Sequence, residues 1–132
     1  MIQEIAKFID LRTSFKVGVT LMVGRRKQND PDRCAVVIES GGGIVYYDLP
    51  DRADMLIQVI TRAVDQMDAR DDAWEIYRAL HGAAGWDLPV ITSGVTYEAM
   101  TIEAVAPPQY IGEDEKRRFE YSTNYIFRNQ DK

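Results

Sequence analysis

The sequence predicts an α+β domain with a mainly antiparallel β-sheet and two helices packed on one face. Three observations carry this. Two segments space their apolar residues as helices do, one at the start of the chain and one in its middle. Val- and Ile-rich runs are punctuated by Gly and Pro turns, as strands are. The segment Phe119 to Phe127 alternates aromatic and polar residues with the cleanest two-residue period in the chain. At 132 residues the chain is expected to form a single domain spanning 1–132.

In order, Met1, Ile2, Ile5, Phe8 and Ile9 share one side of a helix running to about Leu11, with Gln3, Glu4, Lys7 and Asp10 opposite. Val17 to Val23 reads as a strand carrying Gly18 and ended by Gly24. Arg25 to Pro31 is a polar loop closed by its proline. Arg33 to Ser40 is a second strand, after which Gly41-Gly42-Gly43 and the Leu49-Pro50-Asp51 turn bracket a short segment, Ile44 to Asp48. Met55 to Val64 is apolar on both faces, which predicts a central strand covered on at least one side. Asp68 to His81 is a helix with a buried stripe of Ala69, Ala73, Ile76, Tyr77 and Leu80. Acids crowd its start, and Gly82 stands where a left-handed cap belongs. Val90 to Thr92 leads through Ser93-Gly94 into a strand, Val95 to Val105, ended by Pro107-Pro108. A charged turn around Glu113 to Lys116 precedes the final strand.

Composition excludes several functions. Apolar residues are 45% and charged residues 28% of the chain, ordinary for a soluble globular protein. A net charge of −5 argues against a dedicated nucleic-acid binder. One cysteine, Cys34, cannot form an internal disulfide. No apolar run is long enough to span a membrane, and Met1 to Ile5 lacks the basic start and long apolar core of a signal peptide, so the chain is expected in a cytoplasm or in a particle assembled there.

No catalytic constellation emerges from the residues. Gly41-Gly42-Gly43 is followed by Ile44-Val45-Tyr46 rather than by Gly-Lys-Ser or Gly-Lys-Thr opening a helix, so it reads as a flexible turn or contact loop rather than a phosphate cradle. His81 is the only histidine, which excludes a multi-His metal site, and its place at a helix C-terminus suits a capping role. Cys34 lies inside an apolar strand and reads as core. Asp65, Asp68, Asp71 and Asp72 lack the spacing of a calcium loop and read as a solvated helix start. The adjacent opposite-charge blocks Glu113-Asp114-Glu115 and Lys116-Arg117-Arg118 read as a hairpin tip. Phe119, Tyr121, Tyr125 and Phe127 read as one face of a core. Arg25-Arg26-Lys27 is a small basic patch able to touch DNA or an acidic partner. No catalytic residue, cofactor or metal ligand is expected, and the chain reads as a binding or structural protein.

The run Leu21 to Gly43 resembles the phage tail-terminator (minor capsid, tail-completion) family. The resemblance rests on Val23-Gly24, Pro31, Asp32-Arg33-Cys34, Val36-Val37-Ile38 and Glu39-Ser40-Gly41-Gly42. It continues through Ile57-Gln58-Val59, the helix Ala73 to Gly82, Ile102-Glu103-Ala104 with Pro107-Pro108, and Phe119 to Tyr125. Arg25-Arg26-Lys27 is more basic than the family pattern leads one to expect there. The resemblance implies a virion subunit, assembled in the bacterial host cytoplasm, that forms a homo-oligomeric ring, commonly a hexamer. Such a ring caps the tail tube, ends elongation and joins tail to head, meeting the tube protein and a head–tail connector or neck protein. DNA would pass through it without specific binding, which the acidic balance suits. The expected assembly contacts are Arg25, Arg26, Lys27, Gly41, Gly42, Gly43, Tyr46 and Tyr47. Two other readings are a neck (head-completion) subunit and a small nucleotide-binding enzyme using Gly41 to Gly43.

Overall fold

The computed structural model describes residues 2–25, 30–40, 44–45, 52–89 and 97–131. It is the expected α+β arrangement, with two helices on one face of a sheet. The elements are α1 (Ile2–Arg12), β1 (Leu21–Val23), β2 (Cys34–Glu39), β3 (Ile44–Val45), β4 (Arg52–Ala63), α2 (Gln66–Leu80), β5 (Ala84–Asp87), β6 (Tyr97–Ala104), β7 (Gln109–Glu113) and β8 (Phe119–Asp131). Among the described residues, eight strands form one sheet in the order β1-β2-β4-β8-β6-β5, with β3 added to β4 and β7 to β8.

The alternation of β4 and β8 decides which face is buried. Ile57 and Val59 on β4, Tyr125 and Phe127 on β8, and Ala35 and Val37 on β2 meet Ile5, Phe8 and Ile9 of α1 and Ile76 and Leu80 of α2 in one core. A smaller cluster of Ala63, Ala69, Ala73 and Tyr121, with Phe119 packed against it, continues the same face under the start of α2. The aromatic stripe of β8 is therefore core, as its period predicts. β4 lies between β2 and β8 and is central, also as predicted. Cys34 and Val36 are buried too, but they alternate with Ala35 and Val37 and so belong to the opposite face.

Several expectations need correction. The predicted strand Val17 to Val23 shrinks to Leu21–Val23. Gly18 adopts a φ of +83°, and the Lys16 carbonyl accepts the N–H groups of Val19, Thr20 and Leu21, so the preceding residues form a turn. Glu4 and Asp10 of α1, assigned to its polar side, are buried. The Asp10 carboxylate accepts the Val17 N–H at 2.9 Å and pairs with Lys16 at 3.3 Å, so the turn after α1 folds over its polar side. The segment predicted from Ile44 to Asp48 is described only as Ile44–Val45, paired with β4. α2 begins earlier than its apolar stripe suggests, because Asp65 caps it by accepting the Met67 N–H.

Gly82 is left-handed just past the end of α2, as predicted, but its N–H goes to the Ile102 carbonyl at 2.9 Å rather than to the helix. His81 is extended (φ −64°, ψ 125°), Gly82 has φ +85°, and the Ala83 N–H donates to the Leu80 carbonyl at 3.1 Å. These are the dihedrals of a type II turn, with glycine at the position that requires positive φ. It delivers the chain into β5, an unpredicted strand that overlaps the expected Gly85 to Pro89 connection. The predicted Val95–Val105 strand is described as Tyr97–Ala104, and residues 90–96 lie outside the described residues.

Pro107-Pro108 follows the end of β6, as predicted, and a further strand, β7, then takes up the same edge of β8. β6 and β7 both pair antiparallel with β8, at Ala104↔Tyr125 and then at Gln109↔Ser122. The Val105 N–H still reaches the Asn124 carbonyl at 2.8 Å. An irregularity at Ala99/Thr101 falls within β6, which β5 covers, whereas the one at Tyr110/Gly112 lies on the outer strand β7, a common way to keep such a strand from pairing with other chains.

Candidate assembly surfaces

The stretch singled out in the sequence, Leu21 to Gly43, contains the sheet's parallel pair. β1 and β2 run side by side in the same direction, Leu21↔Ala35 to Val23↔Val37. Two antiparallel neighbours can be joined by a two-residue turn, whereas a parallel pair needs a connection that travels back along the strands. The polar stretch between Gly24 and Arg33 has its length for this reason. Where it leaves β1, the Gly24 N–H donates to the Val37 carbonyl at 2.8 Å. Arg25 follows, exposed, on the rim of a hollow of about 280 Å³ lined by Val17, Gly18, Leu21, Met22, Val23, Arg25 and Asp30.

Where the connection returns, residues 31–33 are held by charges from three distant elements. Arg62, buried within β4, donates to the Pro31 carbonyl at 2.7 Å and to the Asp32 carbonyl at 3.3 Å. Asp32 accepts from Arg118 at 3.0 Å. Arg118 in turn donates to Asp114 at 2.7 Å, and Arg62 lies 4.0 Å from the same carboxylate. Asp114 also accepts the N–H groups of Lys116 and Arg118, closing the β7–β8 hairpin, in which Arg117 has φ +60°. The hairpin tip predicted from sequence is thus present, and two of its charges turn inward rather than out to water.

The electrostatics follow from these contacts. Burial pushes the Asp114 carboxyl up, but the Arg118 N–H and guanidinium and the Lys116 N–H outweigh it, leaving the group below its ordinary value. Arg118 is likewise held charged: burial works against it, and Asp32 and Asp114 prevail. Arg33 points to the other face. It makes a two-pronged contact with Asp72 of α2, both bonds 2.9 Å, and lies 3.7 Å from Asp68. The hydrogen bonds to Asp72 raise its pKa. Nearby, Glu75 of α2 accepts from the N–H and hydroxyl of Ser14 at 2.8 and 2.9 Å, fixing the α1–β1 connection to the same helix.

The predicted residues therefore divide clearly. Arg25 is described and exposed. Arg26, Lys27, Gly41, Gly42, Gly43, Tyr46 and Tyr47 lie outside the described residues. The acids at the start of α2 have ordinary tasks: Asp65 caps, and Asp68 and Asp72 pair with Arg33, so Asp72 is a buried partner rather than a solvated one. Among the described residues no group of three or more His, Cys, Asp or Glu could hold a metal ion. His81 is structural, but not as a donor to helix carbonyls. Its Nδ1 accepts the Ala104 N–H at 3.0 Å, and its ring stacks on Tyr77 at 5.1 Å. The residues that sequence reasoning missed are Asp32, Arg62 and Arg118. The available signal was Arg62, the one arginine in the mainly apolar run Met55 to Val64.

The arrangement holds a loop at both ends and a hairpin beside it, and its ionisable groups are committed to one another. That suits presenting a surface. Among the described residues no helix is long and apolar enough to cross a membrane. A family model described as bacteriophage tail terminator protein matches residues 13–130. A search of curated proteins found no match.

Proposed function

Because the chain belongs to the bacteriophage tail terminator family, we propose that it forms a homo-oligomeric ring, commonly a hexamer, that caps the tail tube, ends its elongation and joins tail to head. The family gives the chain a structural role in the phage tail and makes it a component of the virion tail. The observation that carries the fuller reading is the match over residues 13–130, which takes in both the held loop and the hairpin beside it. A ring of identical subunits needs heterologous contacts, in which two different surfaces of one subunit meet their complements on the next. The loop bearing Arg25, Arg26 and Lys27 and the stretch from Gly41 to Tyr47 are our candidates for contacts within the ring or with the tube and neck proteins. DNA passes through such a ring without specific binding, and the chain's net charge of −5 is compatible with that.

Native mass spectrometry and negative-stain microscopy of the purified chain, with particle assembly after gene disruption, test this. Rings, and tails of abnormal length in the disrupted phage, are the expected results. A strictly monomeric protein that does not bind tail tubes would overturn the reading. Tails of normal length that fail to join heads would assign the chain to the neck instead. Reversing the charge of Arg25, Arg26 and Lys27 is expected to impair assembly without unfolding the subunit. Unchanged ring formation and tail joining would remove that loop from the contacts.

A further inference from the structure

The outward surface of α2 is divided lengthwise by charge. On one flank Asp68 and Asp72 pair with Arg33, and Glu75 accepts from Ser14, while the exposed Asp71 stands by the helical period between this flank and Arg78. On the other flank the 3.6-residue period brings Arg70, Trp74, Tyr77, Arg78 and His81 together. The Arg70 and Arg78 guanidiniums lie 5.7 and 5.8 Å from the centre of the Trp74 ring. Trp74 meets Tyr77 edge-on at 5.0 Å, and Tyr77 stacks on His81.

Both arginines are exposed, and among the described residues neither meets a carboxylate. Stacking on an aromatic face restrains a guanidinium without neutralising it, so its charge and N–H donors stay available. The ordering cost that a long side chain pays on binding is thereby lowered beforehand. Trp, Tyr and Arg are also the residue types enriched at the centres of protein interfaces.

Resting on the ring reading above, we propose that this flank of α2 is one of the two subunit–subunit contacts of the ring, seating an acidic surface of a second copy of this chain. Charge complementarity selects this occupant. The chain carries 21 acidic against 16 basic residues, and Glu113 and Glu115 beside the hairpin tip are exposed with no ion pair among the described residues. A copy of the chain thus offers the carboxylates that Arg70 and Arg78 lack. The same acidic balance disfavours nucleic acid as the occupant.

Sedimentation velocity of the full chain across a concentration series, at low salt and in about 0.5 M NaCl, tests the contact. The variants are Arg70→Glu with Arg78→Glu, Trp74→Ala, and Arg70→Lys with Arg78→Lys, each checked by circular dichroism. The charge-reversed and Trp74→Ala variants are expected to need on the order of tenfold or more higher concentration to assemble. Wild-type assembly should weaken in salt, and the Lys variant should fall between. A wild-type ring with all variants assembling normally would overturn this inference and leave the ring reading standing. A wild type that stays monomeric at every concentration would overturn both. Normal rings in the charge-reversed variant that have lost tail-tube or DNA binding would assign the flank to that partner, against the proposal.

Discussion

Replacing Arg62 by methionine isolates what its guanidinium does, because the apolar stem keeps nearly its volume. Arg62 donates to the Pro31 and Asp32 carbonyls at 2.7 and 3.3 Å and is 4% exposed. Hydrogen bonds from a charged donor contribute about 1.5–3 kcal/mol each, so losing both would cost about 3–6 kcal/mol if nothing replaced them. Two effects reduce this. Pro31 and Asp32 are exposed, so water can reach their carbonyls, and removing a buried charge relieves its desolvation cost. Asp114 stays satisfied, since Arg118 still holds it at 2.7 Å. The net expectation for Arg62→Met is a loss of about 2 kcal/mol, equivalent to roughly 8 °C in Tm for a chain of this size. Urea titration gives the stability, and amide exchange around residues 30–33 reports whether the loop end is released. Arg62→Lys should recover only part of the loss, because an ammonium lacks the fork that spans two carbonyls. A methionine variant within about 0.5 kcal/mol of wild type, or more stable, would refute the view that Arg62 holds the loop.

Two further predictions follow from the charges and turns. Asp10, through the Val17 N–H and Lys16, and Asp114, through Arg118 and Lys116 against burial, sit below the ordinary carboxylate value of 3.8. The unfolded chain therefore binds more protons than the folded one in the acid range. Their contribution is complete above that value and lost as pH falls through the depressed folded values; the urea midpoint should drop from about pH 5 downward, and Asp10→Asn or Asp114→Asn should flatten that limb, an unchanged slope counting against it. Gly82→Ala meets no atom within 4 Å of its new Cβ, but φ is +85° there, so thermal unfolding should show a loss of about 1 kcal/mol from backbone strain alone.

The legible parts of the fold were those whose burial leaves a local period. The alternation of Phe119 to Phe127 and the helical stripe of Ala69, Ala73, Ile76 and Leu80 both mark faces pressed against the core, while Tyr77, expected in that stripe, is only half-buried at its border. β7 left no such mark, because Gln109, Tyr110, Ile111 and Glu113 are all exposed. The direction of β1 relative to β2 was also hidden, since two strands joined by a polar loop read alike whether parallel or antiparallel. The loop's anchors were illegible for another reason. Arg62, Arg118 and Asp72 lie far from residues 31–33 in sequence, and no local pattern encodes a contact of that span. The assembly role came from the order of motifs along the chain rather than from any one residue.

The position of β8 sets the order in which this sheet can be built. It pairs with β4 at every position from Arg52↔Gln130 to Ala63↔Phe119, and on its other side it receives β6 and then β7. All three partners precede it in the sequence. As the chain leaves the ribosome, β4 can find β2, but its second edge waits, and the β5–β6 pair can join the rest of the sheet only through β8. Closing these long separations is the slow step of such a topology. Until Phe119 to Asp131 arrives, a 12-residue strand carrying Ile57 and Val59 presents an open edge. The interval most open to misassociation with other copies therefore falls just before Phe119 to Asp131 has emerged.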